Sequence, residues 1–170
     1  MSKPAGPVTN VDDAEEHESL DGEYWGGSYK LLTPFMSENE GALHLNVSRT
    51  PPGRVGCPFH YHLVDDEVFY VLSGTGLLRY GEDLIPLRAG DCISCPAGTE
   101  VAHQIANTGP EDLVYLGIGR NSRTDICVYP DSNKINVRAL KKVGYLEKVD
   151  YMDGEPERPK ILDLAETLDT

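Results

Sequence analysis

Residues 57–74, which read CPFHYHLVDDEVFYVLSG, constrain this chain more than any other stretch. His60 and His62 are separated by one residue, so on a strand both imidazoles leave the same face. The LVDD segment that follows favours a turn, because Asp side chains bond their own backbone. The chain would then return as a second strand, and Glu67 would meet both histidines across a hairpin. Two imidazoles and a carboxylate suit zinc, iron, nickel or manganese better than calcium.

A second segment strengthens this interpretation, because a His-x-His pair taken alone is often accidental. Residues 90–107, GDCISCPAGTEVAHQIAN, supply a third imidazole, His103. Together the two segments resemble the paired motifs of the cupin superfamily. The first motif, G-x5-H-x-H-x3,4-E-x6-G, is matched by His60, His62, Glu67 and Gly74, while Arg54 stands where its opening glycine is expected.

The second cupin motif, G-x5-P-x-G-x2-H-x3-N, is also matched. Its positions are filled by Gly90, Pro96, Gly98, His103 and Asn107. The chain departs from the motif between Gly98 and His103, where it has four residues instead of two. The intact H-x3-N that follows indicates that the strand restarts in register.

The resemblance implies an all-β chain with a cupin-type double-stranded β-helix, that is, a jelly-roll barrel with short terminal extensions. It also implies one divalent ion per chain (Zn, Fe, Mn or Ni), held by His60, His62, Glu67 and His103. Among family members, the chain is most similar to small single-domain bacterial cupins that carry sugar-phosphate-isomerase labels. Such cupins bind small molecules and commonly pair their barrels, so the resemblance implies a homodimer.

Strand spacing supports the same fold class independently. Between residues 60 and 129, short apolar segments recur every 8 to 12 residues with Gly and Pro between them, which is typical of β-barrels and sandwiches. We therefore expect a barrel over residues 28–150. Residues 1–27 form an acidic arm, partly disordered, and residues 151–170 form a tail with a short helix.

The acidity of the chain lies in these termini. The net charge is −13, yet residues 24–146 hold 13 of the 28 acids and 11 of the 15 bases. This balance disfavours nucleic acid and anionic membranes as partners, because binding to phosphates needs clustered bases. No apolar run is long enough for a membrane span or a signal segment, which predicts a cytoplasmic location. All four cysteines (Cys57, Cys92, Cys95 and Cys127) are accordingly expected to be reduced and not bound to metal, with Cys92 and Cys95 on opposite strand faces.

Two classes of function remain open, and no catalytic acid or base can be named from sequence. The chain is either a metal-dependent enzyme on a small polar metabolite, isomerase-like or an iron-dependent dioxygenase, or a metal-containing binding module without turnover. An enzyme should place an ionisable group beside the ligands in its cavity. The candidates, whose strand faces alternation does not settle, are His44, Arg79, Tyr80, Gln104 and Tyr115.

Overall fold

The computed structural model describes residues 6–167, so the first five residues of the predicted arm and the last three of the predicted tail lie outside it. Within this range the chain forms thirteen strands and two α-helices. The strands are β1 (Glu16–Asp21), β2 (Trp25–Leu31), β3 (Leu43–Thr50), β4 (Tyr61–His62), β5 (Glu67–Ser73), β6 (Thr75–Tyr80), β7 (Asp83–Arg88), β8 (Cys92–Cys95), β9 (His103–Ala106), β10 (Leu113–Arg120), β11 (Ile126–Tyr129), β12 (Lys134–Val137) and β13 (Lys142–Tyr145). The helices are α1 (Pro34–Glu38) and α2 (Lys160–Glu166), and short 3-10 turns occupy Pro130–Ser132 and Arg138–Leu140.

The strands build three antiparallel sheets. The largest runs in the order β1-β2-β3-β10-β5-β8, a second runs β13-β12-β11-β4, and a third runs β7-β6-β9. Their inner faces enclose one apolar core, which includes Val71, Leu78, Leu87, Ile93 and Leu113. The predicted all-β class is confirmed.

Side-chain alternation on β5 follows the prediction. Val71 is buried with Phe69 packed against the same core, while Tyr70 and Leu72 on the other face are 40% and 43% exposed. Cys92 and Cys95 on β8 also face opposite ways, since the first is exposed and the second buried. The period-2 pattern therefore assigns the two faces of the large sheet correctly.

The predicted hairpin between His62 and Glu67 is wrong. β4 pairs with β11, whereas β5 pairs with β10 and β8, so the two segments lie in different sheets. The acidic link does not close a local turn, because its carboxylates bond distant backbone groups. Asp65 accepts from Ser122, and Asp66 accepts from the amide of Ala97. The chain thus crosses from one sheet to the other, and His62 and Glu67 meet because those sheets face each other.

The terminal elements β1 and α2 contribute no residue to the apolar core. β1, which falls within the predicted acidic arm, pairs with β2, and its six side chains are all exposed. The short C-terminal helix is present as α2 and is also exposed. The division into arm, barrel and tail stays a prediction. Among the described residues, no helix has the length and apolar character needed to cross a bilayer.

Candidate metal centre

Two imidazoles of the site come from the short strand β4 and the residue just before it. His62 pairs with Cys127 of β11, and His60 bridges to His103 of β9. All three histidines are buried, at 7%, 8% and 3% exposure for His60, His62 and His103. The His-x-His spacing thus places both imidazoles inside the molecule, as the period of a strand requires.

Glu67 enters from the opposite sheet as the first residue of β5. Its Oε2 atom lies 3.0 Å from Nε2 of His103, 3.4 Å from Nε2 of His62 and 3.7 Å from Nε2 of His60. The structure therefore brings all four predicted ligands together around one point. The ligand atoms of His60, Glu67 and His103 lie within 4.8 Å of one another. The distances of 3.0 and 3.7 Å from Oε2 of Glu67 to the two imidazoles are short enough for one ion about 2.1 Å from each donor.

Three buried atoms of this cluster have no hydrogen-bond partner among residues 6–167. They are Oε2 of Glu67 and both ring nitrogens of His103. Leaving such groups unsatisfied costs about 1 to 3 kcal/mol each, so a native structure rarely does it without a reason. A divalent ion would satisfy the carboxylate oxygen and Nε2 of His103 together. The donor set fits the metal that the two motifs imply.

Two hydrogen bonds fix the histidines of the first motif for ligation. Nδ1 of His62 lies 2.6 Å from Oδ2 of Asp125, and Nδ1 of His60 lies 2.7 Å from the carbonyl of Pro58. A carbonyl or a carboxylate only accepts, so each Nδ1 carries the donated proton. In the neutral imidazole that a metal ion requires, each Nε2 keeps its lone pair, and both Nε2 atoms lie within 3.7 Å of Oε2 of Glu67. Such outer partners orient metal-bound imidazoles and raise their basicity.

Asp125 is fully buried. Nothing in the sequence around it identifies it as part of the site. It accepts hydrogen bonds from the amides of Val64 and Asp65 and lies 3.6 Å from Nε of Arg138. Arg138 in turn donates to Asp65 at 2.6 Å. This network holds the carboxylate that orients His62. No local motif predicts the contact between Asp125 and His62, because the two residues are 63 positions apart in sequence.

Replacing Asp125 by asparagine should weaken metal binding about 10- to 100-fold, the usual effect of losing an outer carboxylate partner. Asparagine keeps the shape but removes the charge that holds the His62 proton on Nδ1. The measurement is a competition titration of zinc against a chelator. Asp131→Asn is a matched control, because Asp131 is exposed and pairs with Arg79. Equal zinc affinity in wild type and Asp125→Asn would contradict the role.

Burial and the contacts among its own members shift the pKa values of this cluster. Burial alone would raise the pKa of Glu67, but the contacts with His103, His60 and His62 hold it well below its usual range. Burial alone would lower the pKa of His60, but contacts with Cys57 and Glu67 raise it to about 11. Burial is also the main reason that the pKa of His103 is lowered. Glu67 thus offers a metal an ionised oxygen.

A buried thiol stands next to the same histidines. Cys127, 3% exposed, has its sulfur within 4.8 Å of ring nitrogens of His60 and His62. The sequence predicts that no cysteine binds the metal. A site formed by His60, His62 and Cys127 is therefore the alternative to the set that contains Glu67. The unsatisfied atoms belong to Glu67 and His103, which are absent from the thiol-containing group. We therefore expect the ion to be held by the carboxylate set.

Cobalt substitution should distinguish the two sets. The Co2+-loaded protein is expected to lack the near-ultraviolet thiolate-to-cobalt charge-transfer band, and Cys127→Ser should leave its spectrum unchanged. Thiol titration of the unfolded protein should find all four cysteines free, as the structure has them. A charge-transfer band that Cys127→Ser removes would place the thiol on the metal and contradict the prediction.

Glu67 also lines a polar cavity of about 300 Å³. Glu67, Gly119 and His44 form one row across β5, β10 and β3, so His44 lies on the inner face. Its neighbours on that face are Asn46 and Ser48, and Tyr115 lines the same cavity. Gly119 bears no side chain, and this leaves the space in front of Glu67 open. The polar side chains of β3 therefore lie on the inner face of the sheet, which alternation in the sequence alone does not decide.

Three other candidates from the sequence do not line this cavity. Arg79 stacks over the ring of Phe59 at 3.6 Å and pairs with Asp131. Gln104 donates to the carbonyl of Cys57, and Tyr80 packs against the apolar core. Their roles in this structure are packing and surface pairing.

The comparisons with known proteins agree with this geometry. Residues 46–119, which contain all four donors, match the family model described as "Cupin domain". Over 88 residues the chain is 31% identical to the oxalate-binding protein of Thermotoga maritima, covering 52% of this chain and 69% of that protein. The chain belongs to the cupin superfamily. The jelly-roll cupin fold expected from the two motifs is confirmed.

Two solved cupin structures resemble most of the chain. One, from Acidithiobacillus ferrooxidans and provisionally named a sugar phosphate isomerase, is 25% identical with a TM-score of 0.67, covering 87% of this chain and 92% of its own. The other, a cupin-superfamily sugar phosphate isomerase from Silicibacter pomeroyi, is 23% identical with a TM-score of 0.69, covering 91% and 98%. The likeness extends past residues 46–119, since these structures cover 87% and 91% of this chain.

Proposed function

We propose that this cupin is a metal-dependent enzyme that acts on a small polar metabolite, with sugar-isomerase-like chemistry as the first candidate. The observation that carries the proposal is the convergence of three imidazoles and one carboxylate at the mouth of a polar cavity. The name of the Acidithiobacillus ferrooxidans protein supports the isomerase candidate.

His60, His62, Glu67 and His103 would hold the ion. When bound, a divalent ion polarises a carbonyl or hydroxyl oxygen of a substrate. Of the four candidate donors, Glu67 lines the polar cavity, which provides space for a ligand next to the ion. Asp125 and Pro58 keep two imidazoles oriented, and the surrounding core excludes water from the donors.

His44 favours catalysis over simple capture. It is an ionisable group in the cavity that is not one of the four donors, which is the feature expected of an enzyme. Its Nε2 accepts from Nδ2 of Asn121 at 3.2 Å, so in that arrangement the neutral imidazole carries its proton on Nδ1. Isomerisation requires a group that moves a proton between neighbouring carbons, and an imidazole does this near neutral pH.

A non-catalytic binding module is the second candidate, and the name of the Thermotoga maritima relative favours it. The deciding experiment identifies the co-purified metal and then screens sugar phosphates, keto acids and oxalate for both binding and turnover. Turnover of one compound class that disappears on chelation supports the enzyme. Tight, metal-dependent binding of one compound without product would favour the module.

We further propose that the protein is a homodimer paired through the outer face of its large sheet. Leu43, Tyr70, Leu72 and Ile118 share this face and are each 37% to 52% exposed. β1 and β2 lengthen the sheet sideways and do not cover it. A contiguous apolar face on a folded protein marks an interaction site, and the closed symmetry of a dimer buries it on both copies.

Leu72→Asp should therefore convert the dimer to a monomer, because it places a charge in the paired face. The measurement is light scattering coupled to size exclusion. Leu84→Asp is the matched control, since Leu84 is 64% exposed but lies on β7 of another sheet. A wild-type monomer, or a dimer that survives Leu72→Asp, would contradict the proposed interface.

A cytoplasmic location is part of the same proposal. All four cysteines are unpaired, including the exposed Cys57 and Cys92, and free exposed thiols are typical of reducing compartments. The thiol titration described above is its test when applied to protein isolated without reductant.

A further inference from the structure

A second cavity of about 490 Å³ adjoins the one at Glu67 on the same concave face. Both cavities are lined by Asn46, Ser48 and Tyr115. The second extends to β2, where Trp25 and Tyr29 line it. The ligand space thus runs from the metal centre across β10 and β3 to the N-terminal strands. Those strands lie outside the matched region 46–119.

The middle of this space is lined by unpaired, neutral polar groups. Asn46 and Ser48 are half-buried, and neither side chain has a hydrogen-bond partner among residues 6–167. They alternate with His44 along β3, so the three side chains form a row on one face. Half-buried polar groups without protein partners are suited to bond hydroxyl groups of a ligand.

The far end is aromatic. Trp25 and Tyr29 are 42% and 43% exposed, so much of their ring surface is free for a ligand. Tyr29 also has the exposed His17 beside it, with ring centroids 5.2 Å apart. Aromatic rings pack on apolar C–H surface while their polar ends bond water or hydroxyls. Rings next to neutral hydrogen-bonding groups match a chain of carbons that bears hydroxyls, such as a sugar.

The distances also favour an extended ligand. Neighbouring strands lie about 4.8 Å apart, so β3 stands about 10 Å and β2 about 14 Å from β5, which carries Glu67. A two-carbon dianion such as oxalate cannot reach from the donors to the aromatic end. Arg49, the basic residue among those that line the second cavity, is already paired with Asp112 at 2.9 Å. This end therefore selects for hydroxyls and carbon surface and not for a second negative charge.

We propose that Trp25, Tyr29, Asn46 and Ser48 form a subsite for the polyhydroxylated part of a sugar-type ligand whose other end lies at the metal centre. The inference rests on the proposed function and extends it by naming the substrate class. It also assigns a role to β2, which supplies the rings.

The test uses Trp25 itself, because it is the only tryptophan in the chain. The zinc-loaded full-length protein is titrated with aldose and ketose 6-phosphates, with the corresponding free sugars and with oxalate, and its emission is recorded. Saturable changes are expected for sugars and none for oxalate. Asn46→Ala and Tyr29→Leu should each weaken sugar binding roughly 2- to 10-fold, as loss of one hydrogen bond or one ring contact implies.

Ser94→Ala is the matched control, since Ser94 is exposed on the outer face of β8. Metal content, measured in parallel, should be unchanged in all of these variants, so failure of the metal site and failure of the subsite are separable. No saturable change with any sugar overturns the inference. Sugar binding that Asn46→Ala and Tyr29→Leu leave unaltered also overturns it. Binding restricted to phosphorylated sugars but weakened by both variants supports it.

Discussion

Replacing His62 by alanine is expected to abolish stoichiometric metal binding. His62 is one of the four candidate donors and is the one oriented by a buried carboxylate, so its loss should cost more than the roughly 100-fold seen when an outer partner is removed. The measurement is elemental analysis of the purified protein after dialysis against trace zinc. We expect about one ion per chain in wild type and a negligible fraction in the variant. Thermal stabilisation by added zinc should disappear in parallel.

His17→Ala controls for the loss of an imidazole elsewhere, because His17 is an exposed residue of β1. Unchanged stoichiometry in His62→Ala would remove His62 from the ligand set. The variant also leaves Asp125 without its imidazole partner, although Arg138 remains 3.6 Å away. Circular dichroism of the metal-free proteins therefore belongs in the experiment, so that lost metal is not confused with lost fold.

Replacing His44 by glutamine is expected to lower turnover about 100- to 10,000-fold, the range for removal of a general acid or base. The metal content should stay at the wild-type value, because His44 is not one of the four donors. Glutamine still offers an acceptor to Asn121, so the wall of the cavity should remain in place. The measurement is kcat and KM on whichever substrate the screen identifies. The loss should fall on kcat.

Asp131→Asn serves as the control, because Asp131 is exposed and pairs with Arg79 away from the cavity. If His44→Gln loses activity only through a raised KM, the imidazole binds the substrate without moving a proton. If kcat is unaffected, the proton-transfer role is wrong. Loss of metal in His44→Gln would instead show that His44 supports the donors.

Much of the candidate site follows from local spacing. The period of a strand places His60 and His62 on one face, and the second motif supplies His103. Glu67 was matched to the same site through its distance from the histidines in the first motif. These relations are short in sequence, and strand geometry converts short sequence distances directly into directions. The same reasoning separated Val71 from Tyr70 and Leu72, as the structure confirms.

Pairing between strands was decided by the tertiary structure. The sequence favoured a hairpin joining His62 to Glu67, but the two residues belong to different sheets and meet face to face. Acids such as Asp65 are compatible with a tight turn and equally with long-range bonds. In this structure Ser122 and Arg138 donate hydrogen bonds to the carboxylate of Asp65. Local preferences cannot distinguish these outcomes, because the bonding partners lie more than 50 residues away.

The sequence by itself determined the candidate donor set, because the identity and spacing of its side chains are encoded within two short segments. Tertiary structure alone decided that Asp125 orients His62, that His44 faces the ligand space, and that Trp25 and Tyr29 reach the same cavity. Each of these depends on which strands become neighbours. That choice is made by burial of the whole core and by satisfaction of buried polar groups, which are properties of the complete chain.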